Sequence, residues 1–139
     1  MPLGTNGEVI RRYVDEVWNR GMLDVADELL VPAHVRHDPN LEFDAIGIDE
    51  IKSQVSSLRV AFPDLRFEAS IYASGDDDGF VTRRWTMTGT HDGEWMGIAR
   101  TGAKITSTGM ALSRFDNGKI AEEWIHRDDL GLMRQLGAL

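Results

Sequence analysis

The segment AKITSTGMALSRFDNGKIAEEWIHRDDLGLMRQLG, residues 103–137, decides the fold. Two runs rich in β-branched and aromatic residues are joined by Asn117-Gly118, the dipeptide most typical of a two-residue hairpin turn. The last residues, from about Asp129 to Leu136, have the pattern of a short helix. Alternation along the second run places five side chains on one side of a strand: Ile120, Glu122, Trp124, His126 and Asp128. A partly closed pocket would account for a tryptophan, a histidine and an aspartate that point the same way.

The first third of the chain has the pattern of helices. Apolar residues recur at helical spacing over residues 9–18 and predict a first helix. A second, short helix is expected from about Asp24 to Leu30. A third is expected from near Asp49 until Pro63 stops it. The buried stripe of this third helix comprises Ile51, Val55, Leu58 and Phe62.

The residues that follow have the pattern of β-strands. RFEASIYASG (66–75) and GFVTRRWTMTGTH (79–91) are rich in β-branched and aromatic residues, with Asp76 to Gly79 as a turn between them. A second turn leads into EWMGI (94–98). Helices followed by a run of antiparallel strands predict a single α+β domain over residues 1–139, with the helices packed on one face of a curved sheet.

Composition and charge narrow the classes of function. The 139 residues include no cysteine, which excludes a disulfide scaffold, a thiolate metal site and a cysteine nucleophile. The formal net charge of −8 and the pI near 4.9 disfavour nucleic acid and anionic membranes as partners. The N-terminal MPLGTNGEVI lacks the pattern of a signal peptide, and no apolar run approaches the ~20 residues of a membrane span. We therefore expect a soluble, cytoplasmic protein.

Large, soft side chains are frequent in the strand region. They are Trp85, Met87, Trp95, Met96, Met110 and Trp124. Such side chains line pockets for flat apolar ligands, although each could equally belong to an ordinary core. On the strand before the hairpin, Leu112 and Arg114 share a face with Met110, and the hairpin pairing would place Arg114 near Ile120 or Glu122. The sequence alone does not decide which faces of the strands meet the helices.

Asp128 is the strongest candidate for chemistry. A carboxylate at the mouth of an apolar pocket has a raised pKa and is therefore a better base. The alternative is that Asp128 caps the final helix, but Asp129 is adjacent and could take that role. His126 could orient the aspartate or bind a ligand oxygen, or be purely structural. His37, in VRHDPN, could point into the same cavity or bind its own turn.

Other types of site have little support. His126-x-Asp128 alone is a weak metal signal, and the histidines lack the spacing of a metal cluster. There is no Gly-x-Ser-x-Gly motif for a serine nucleophile and no Gly-x-Gly-x-x-Gly motif for a dinucleotide. We therefore expect neither a metal nor a cofactor.

An ordered set of motifs resembles the SnoaL-like polyketide cyclases, in the superfamily of ketosteroid isomerase and nuclear transport factor two. The motifs are RHDP, AFPDLRF, RWTMTGTHDGEWMGIARTG, SRFDNGKIAEEW and RDDLGLMRQLG, between about His37 and Gly137. The resemblance implies a cone-shaped α+β barrel, in which a curved antiparallel sheet wraps around N-terminal helices and encloses a deep apolar pocket. It also implies ring closure by intramolecular aldol condensation, without metal or cofactor.

The resemblance assigns roles to individual residues. In the family, an aspartate at the end of the last strand, four residues after a tryptophan, acts as the base. That position is Asp128, after Trp124. The histidine of the family's His-Asp-Pro motif corresponds to His37 and borders the pocket. On the strand before the hairpin, where aldol cyclases can carry polar residues that bind substrate oxygens, this chain has Met110, Leu112 and Arg114.

Three functions remain open from the sequence. The first is a cyclase-like or isomerase-like enzyme that acts on a polyketide-like or other apolar carbonyl compound, with Asp128 as base and His126 and His37 as hydrogen-bonding groups. The second is hydrolysis or dehydration of a small apolar molecule, which a second carboxylate in the pocket would favour. The third is a module that binds a small ligand or a protein without catalysis. Members of the superfamily commonly pair through the outer face of the sheet, which predicts a homodimer.

Overall fold

The helices lie where the apolar spacing predicts them. The computed structural model describes residues 4–73 and 79–139, so most of the turn predicted at Asp76 to Gly79 lies outside the described residues. Within these ranges the helices are α1 (Gly4–Arg12), which continues as a π-helical segment (Tyr13–Asn19), then α2 (Leu23–Leu29), α3 (Ile48–Ala61) and α4 (Asp129–Gln135). Of the predicted stripe, Ile51 and Val55 are fully buried and Leu58 is partly buried, while Phe62 is fully buried just past the end of α3. No helix in the described ranges is long and apolar enough to cross a membrane.

The strands form one curled, mixed sheet with helices on its concave face. They are β1 (Leu30–His37), β2 (Ala45–Ile46), β3 (Arg66–Ala73), β4 (Phe80–Thr90), β5 (Lys104–Asp116) and β6 (Lys119–Arg127), in the spatial order β2-β1-β6-β5-β4-β3. The hairpin of β5 and β6 turns at Asn117 and Gly118, both at positive φ, as predicted. An α+β architecture with an open, curled sheet is thus confirmed.

One prediction about the strands is wrong, and the segment after the second predicted turn lies outside the sheet. The sheet is not wholly antiparallel, because β1 pairs with β6 in parallel. The sequence does not predict β1, because Pro32 interrupts its pattern. The register of β1 shifts between Leu30 and Val35, where a proline is tolerated. EWMGI is not a strand of the sheet, because Met96 and Gly97 adopt positive φ and leave a single bridge between Trp95 and Ile98.

Alternation along the long strands separates an inner face from an outer face. On β4, Val81, Arg83, Trp85 and Met87 are buried, and on β5, Ile105, Ser107, Ala111 and Ser113 are buried. The side chains between them are exposed or partly exposed. The inner face packs against two clusters of buried apolar residues. The helices near the N-terminus contribute residues to one cluster. Helix α4 and the loop that carries Trp95 contribute residues to the other.

A one-residue bulge in β6 changes which side chains point inward. Phe115 pairs with Ile120, but Arg114 pairs with Glu122, so Ala121 is the extra residue. Ile120 is consequently buried on the inner face, whereas Glu122, Trp124 and His126 lie on the outer face. The prediction that Ile120 shares a side with these residues is wrong, because an inserted residue shifts an alternating pattern by one.

Candidate active site

A cavity of about 310 Å³ lies between the helices and the inner face of the sheet. Its wall takes Val14 and Trp18 from the π-helical segment, Gln54 and Leu58 from α3, and Phe67 from β3. The loop after β4 adds Glu94, Trp95 and Met96. The sheet and the residues around α4 contribute most of the remaining wall, including Arg36, Arg83, Trp85, Met87, Ser107, Arg127, Asp129 and Leu132. These side chains come from both apolar clusters, so the cavity lies where the two clusters meet.

Four of the predicted wall residues do line this cavity. They are Trp85, Met87, Trp95 and Met96. Trp85 packs edge-on against Phe67, with ring centroids 6.0 Å apart. The indole of Trp85 has room because Gly109 lies opposite it across the strand pair, and a Cβ there would overlap the ring. The result is a broad apolar wall suited to a flat ligand. Contact with a ligand stays a prediction for all four residues.

The other predicted wall residues lie outside the cavity. Met110, Leu112 and Arg114 occupy the outer face of β5, because Ser107, Ala111 and Ser113 take the inner positions. Trp124 lies on the outer face of β6 beyond the bulge. Arg114 does pair with Glu122 as the hairpin register predicts, with its Nε donating to Oε1 at 3.2 Å.

The histidines named from the sequence also lie away from the cavity. His126 is exposed on the outer face of β6. His37 lies between two carboxylates, with Nε2 2.7 Å from Glu122 and Nδ1 2.8 Å from Asp44, and stacks on Trp124. The hydrogen bond to Glu122 is the main reason why the pKa of His37 is raised above its ordinary value. Its position therefore suits a pairing role at the outer edge of the sheet rather than contact with a ligand in the cavity.

The two adjacent aspartates have the opposite placement from the one predicted. Asp128, not Asp129, is the N-cap of α4, since its Oδ1 accepts the backbone N–H of Gly131 at 2.9 Å. Gly131 leaves room for this carboxylate, which a Cβ would overlap. Asp128 is exposed and absent from the lining of the cavity, whereas the side chain of Asp129 lines it and is only 14% exposed.

Asp129 belongs to a chain of charged side chains along the cavity wall. Nε of Arg127 lies 3.0 Å from Oδ1 of Asp129, and Nη1 of Arg127 lies 3.0 Å from Oδ2 of Asp38. Burial raises the pKa of Asp129 above its ordinary value. The charge of Arg127 opposes this shift, while the negative charges of Asp38 and Asp128 add to it. The arrangement supplies a carboxylate that can accept a proton inside an apolar cavity.

A buried network fixes another part of the wall. Oε2 of Glu123 accepts hydrogen bonds from Nη1 of Arg83 at 2.8 Å and from Oγ of Ser113 at 3.2 Å. Nε2 of His34 lies 3.1 Å from the other oxygen of Glu123. Burial alone would raise the pKa of Glu123, but the charge of Arg83 and the contact with His34 outweigh it and hold this pKa well below its ordinary value. Arg83 is therefore held in place as a paired cation.

Some site residues were missed by reasoning from the sequence. Asp129, Arg127 and Arg36 line the polar side of the cavity, and Asp38 supports Arg127 from behind the lining; the sequence alone assigns none of them to a pocket. Arg36 and Asp38 do fall in the RHDP motif, which was the available signal. Glu94 also lines the cavity, so a second carboxylate is present beside Asp129. Within the described ranges, no group of three or more His, Asp or Glu side chains has an arrangement that could hold a metal.

Comparisons with known proteins agree with this architecture. The chain is 29% identical over 137 residues to the aklanonic acid methyl ester cyclase DauD of Streptomyces sp. (strain C5), covering 94% of this chain and 80% of that protein. The fold matches the crystal structure of a proposed SnoaL-like polyketide cyclase from Jannaschia sp. CCS1 with a TM-score of 0.86 and 23% identity, over 100% and 96% of the two chains. It also matches AclR of Streptomyces galilaeus, a proposed hydroxylase, with a TM-score of 0.81 and 29% identity, over 96% of each chain. The profile of the SnoaL-like polyketide cyclases matches residues 8–136, and the chain belongs to that family.

Proposed function

We propose that this protein closes a carbon ring in a polyketide-like carbonyl compound by an intramolecular aldol reaction, with Asp129 as the general base. The observation that carries the proposal is the position of Asp129, a largely buried carboxylate with a raised pKa on the wall of an aromatic cavity. The similarity to an aklanonic acid methyl ester cyclase supports the substrate class.

The proposed reaction begins with the removal of a proton. A methylene between two carbonyl groups is acidic enough for a carboxylate of raised pKa to deprotonate it. The C–H electron pair remains in the substrate as an enolate, delocalised over the conjugated carbonyls. The enolate carbon then attacks a second carbonyl of the same molecule, a carbon–carbon bond forms, and the carbonyl oxygen becomes an alkoxide. Asp129 returns its proton to this alkoxide, so the product is an isomer of the substrate.

The cavity wall supplies the positioning that such a reaction needs. Trp85, Trp95 and Phe67 offer flat apolar surfaces on which a polycyclic substrate can stack. A bound conformation that holds the enolate carbon against the carbonyl can contribute several kcal/mol to the rate. Arg127, in contact with Asp129, keeps the carboxylate oriented, and its charge favours the ionised form.

A pair of isosteric variants tests the proposal. With aklanonic acid methyl ester as the probe substrate, liquid chromatography and mass spectrometry are expected to show a product of unchanged mass. We expect Asp129→Asn to lower kcat by roughly 10²–10⁴-fold, the usual contribution of a general base. Asp128→Asn is the matched control, since it makes the same chemical change one residue away, at the exposed cap. Equal losses in both variants, or none in Asp129→Asn, would refute the role of Asp129.

A second candidate function is hydrolysis or dehydration in the same cavity. It is favoured by Glu94, a second carboxylate of the lining, which could activate or accept water while Asp129 acts on the substrate. The mass of the product separates the candidates, because hydrolysis adds the mass of one water and dehydration removes it. If no mass change and no isomer is found with carbonyl substrates that bind, the protein is a binding module.

A further inference from the structure

Two buried N–H groups at the cavity wall are short of a partner. Among the described residues, Nε of Arg36 and Nε1 of Trp18 have no acceptor in hydrogen-bonding geometry. Nε of Arg127 and the hydroxyl of Tyr13, whose ring packs against Trp18, also lack one. Arg36 and Trp18 are each only 6% exposed, and both line the cavity. The guanidinium carbon of Arg36 lies 5.2 Å from the ring centroid of Trp18, so the two donors belong to one cluster. Because a buried donor without an acceptor is costly, such groups point to an acceptor that the protein itself does not provide.

The charges of the cavity are also incompletely balanced at Arg36. Arg83 is paired with Glu123 at 2.8 Å, and Arg127 contacts both Asp129 and Asp38 at 3.0 Å. Among the described residues, Arg36 forms one ion pair, in which its Nη1 lies 3.6 Å from Oδ2 of Asp38. The same oxygen also contacts Arg127. Nη1 of Arg36 donates to Oε1 of Gln54 at 2.8 Å, and this neutral partner orients the guanidinium without cancelling its charge.

We propose that Arg36 and the indole N–H of Trp18 form an anchor for an ionised oxygen of the ligand, such as a carboxylate or an acidic phenol. Of the three arginines in the cavity lining, Arg83 and Arg127 are already paired with carboxylates at 3.0 Å or less, whereas Arg36 donates to the neutral Gln54. Charge-assisted hydrogen bonds from a buried guanidinium are the strong kind.

The anchor deepens the proposed function, and it rests on that function for the identity of the reaction. Arg36 is joined to Asp129 through Asp38 and Arg127, so the anchor and the base lie along one side of the cavity. An anionic group of the substrate bound at Arg36 would set the position of the substrate along the aromatic wall. It would thereby set the distance between the reacting carbon and the carboxylate of Asp129. The expected substrate is therefore a flat carbonyl compound with an acidic oxygen away from the reacting carbons.

Binding of a matched ligand pair tests the anchor without any turnover. Isothermal titration calorimetry would compare anthraquinone-2-carboxylate with the neutral anthraquinone-2-carboxamide, which has the same ring system. We expect the carboxylate to bind roughly tenfold or more tightly to the wild-type protein, and a phenolate of the same ring system to show the same preference at a pH where it is ionised. Equal affinity for the carboxylate and the carboxamide, or no binding of the carboxylate, would overturn the proposal.

Variants identify the residue that carries the preference. Arg36→Met is expected to remove the preference for the carboxylate over the carboxamide. Arg36→Lys should keep part of this preference through charge alone, and Trp18→Phe should weaken it by removing one donor. Arg20→Met is the control, since it deletes an exposed positive charge. A preference that survives in folded Arg36→Met would overturn the assignment, and Trp18→Phe covers the case in which Arg36→Met does not fold. Asp129→Asn should lose turnover but still prefer the carboxylate over the carboxamide, so failure of the base and failure of the anchor are distinguishable.

Discussion

At the scale of single residues, the two aspartates at the junction between β6 and α4 have different roles: Asp128 caps the helix, and Asp129 is the proposed base. Asp128 has a non-helical backbone, as an N-cap does, and uses its side chain to bind the first turn of the helix. Asp129, the next residue, is already helical, and its side chain is turned toward Arg127 and the cavity. A helix start imposes this division, because the cap must reach back over the N–H groups that have no intrahelical partner.

The capping role predicts a clear effect on stability. Asp128→Ala removes the acceptor for the backbone N–H of Gly131 and is expected to lower the free energy of unfolding by about 1 kcal/mol. Asp128→Asn keeps a good capping group and should be close to neutral. Urea denaturation monitored by circular dichroism measures both. If Asp128→Ala were as stable as the wild type, the cap would contribute nothing and Asp128 would be free for another role.

The raised pKa of Asp129 predicts a pH dependence of activity. The base must be ionised, so kcat/KM should rise with pH through the pKa of Asp129 and level off above it. Because burial raises this pKa, the rise should come at a higher pH than for an exposed aspartate. Arg127 lowers the pKa of Asp129, so Arg127→Gln should move the rise to still higher pH. An unchanged pH profile in Arg127→Gln would argue that the titrating group is not Asp129.

The sequence is informative about the apolar wall but not about the order of these two aspartates. Alternation on β4 places Trp85 and Met87 on the same face as Val81, and that face is the buried one. No pattern distinguishes Asp128 from Asp129, since each is a good capping residue at a helix start. Which of the two aspartates caps α4 depends on the exact residue at which β6 ends. Such boundaries are the part of a structure that a sequence determines least.

At the scale of elements, the bulge in β6 determines which residues reach the cavity. The alternating pattern of the strand is evident from the sequence, and the pairing of Arg114 with Glu122 follows from the hairpin turn. The extra residue, Ala121, is not predictable from the alternation, because a bulge leaves the residue types on either side unchanged. The bulge places Trp124 and His126 on the outer face. Uninterrupted alternation would instead place them on the same face as the buried Ile120.

The close packing of Trp85 on β4 against Gly109 on β5 predicts that a larger residue at position 109 lowers the stability of the protein. A Cβ at Gly109 would overlap the ring of Trp85 and approach the backbone oxygen of His126. Gly109→Ala should therefore lower stability by roughly 1–3 kcal/mol, the range for overpacked sites, and weaken ligand binding by displacing the wall. In a Trp85→Leu background the same change should cost less, since the ring that clashes is gone and only the approach to the backbone oxygen of His126 remains. Thermal denaturation of the four proteins checks the prediction, and additive costs would contradict it.

At the scale of the whole molecule, the outer face of the sheet carries apolar side chains that the fold does not cover. Phe80, Met110 and Leu112 are 42%, 49% and 39% exposed, and they lie on neighbouring strands. The sequence predicted a pocket role for two of them, because it does not reveal which side of β5 the helices cover. The fold class did follow from the sequence, since helices before strands leave few other arrangements.

This outer face predicts a homodimer that depends on apolar contact and is opposed by charge. Sedimentation velocity should show a dimer for the wild type, and Leu112→Glu should shift it to monomer by placing a charge in the centre of the face. Since each copy carries a net charge of −8, added salt should strengthen the association. Val60→Glu, on an exposed position of α3, is the matched control and should leave the dimer intact. A monomeric wild type at all salt concentrations, or equal effects of the two variants, would show that the outer face of the sheet is not the interface.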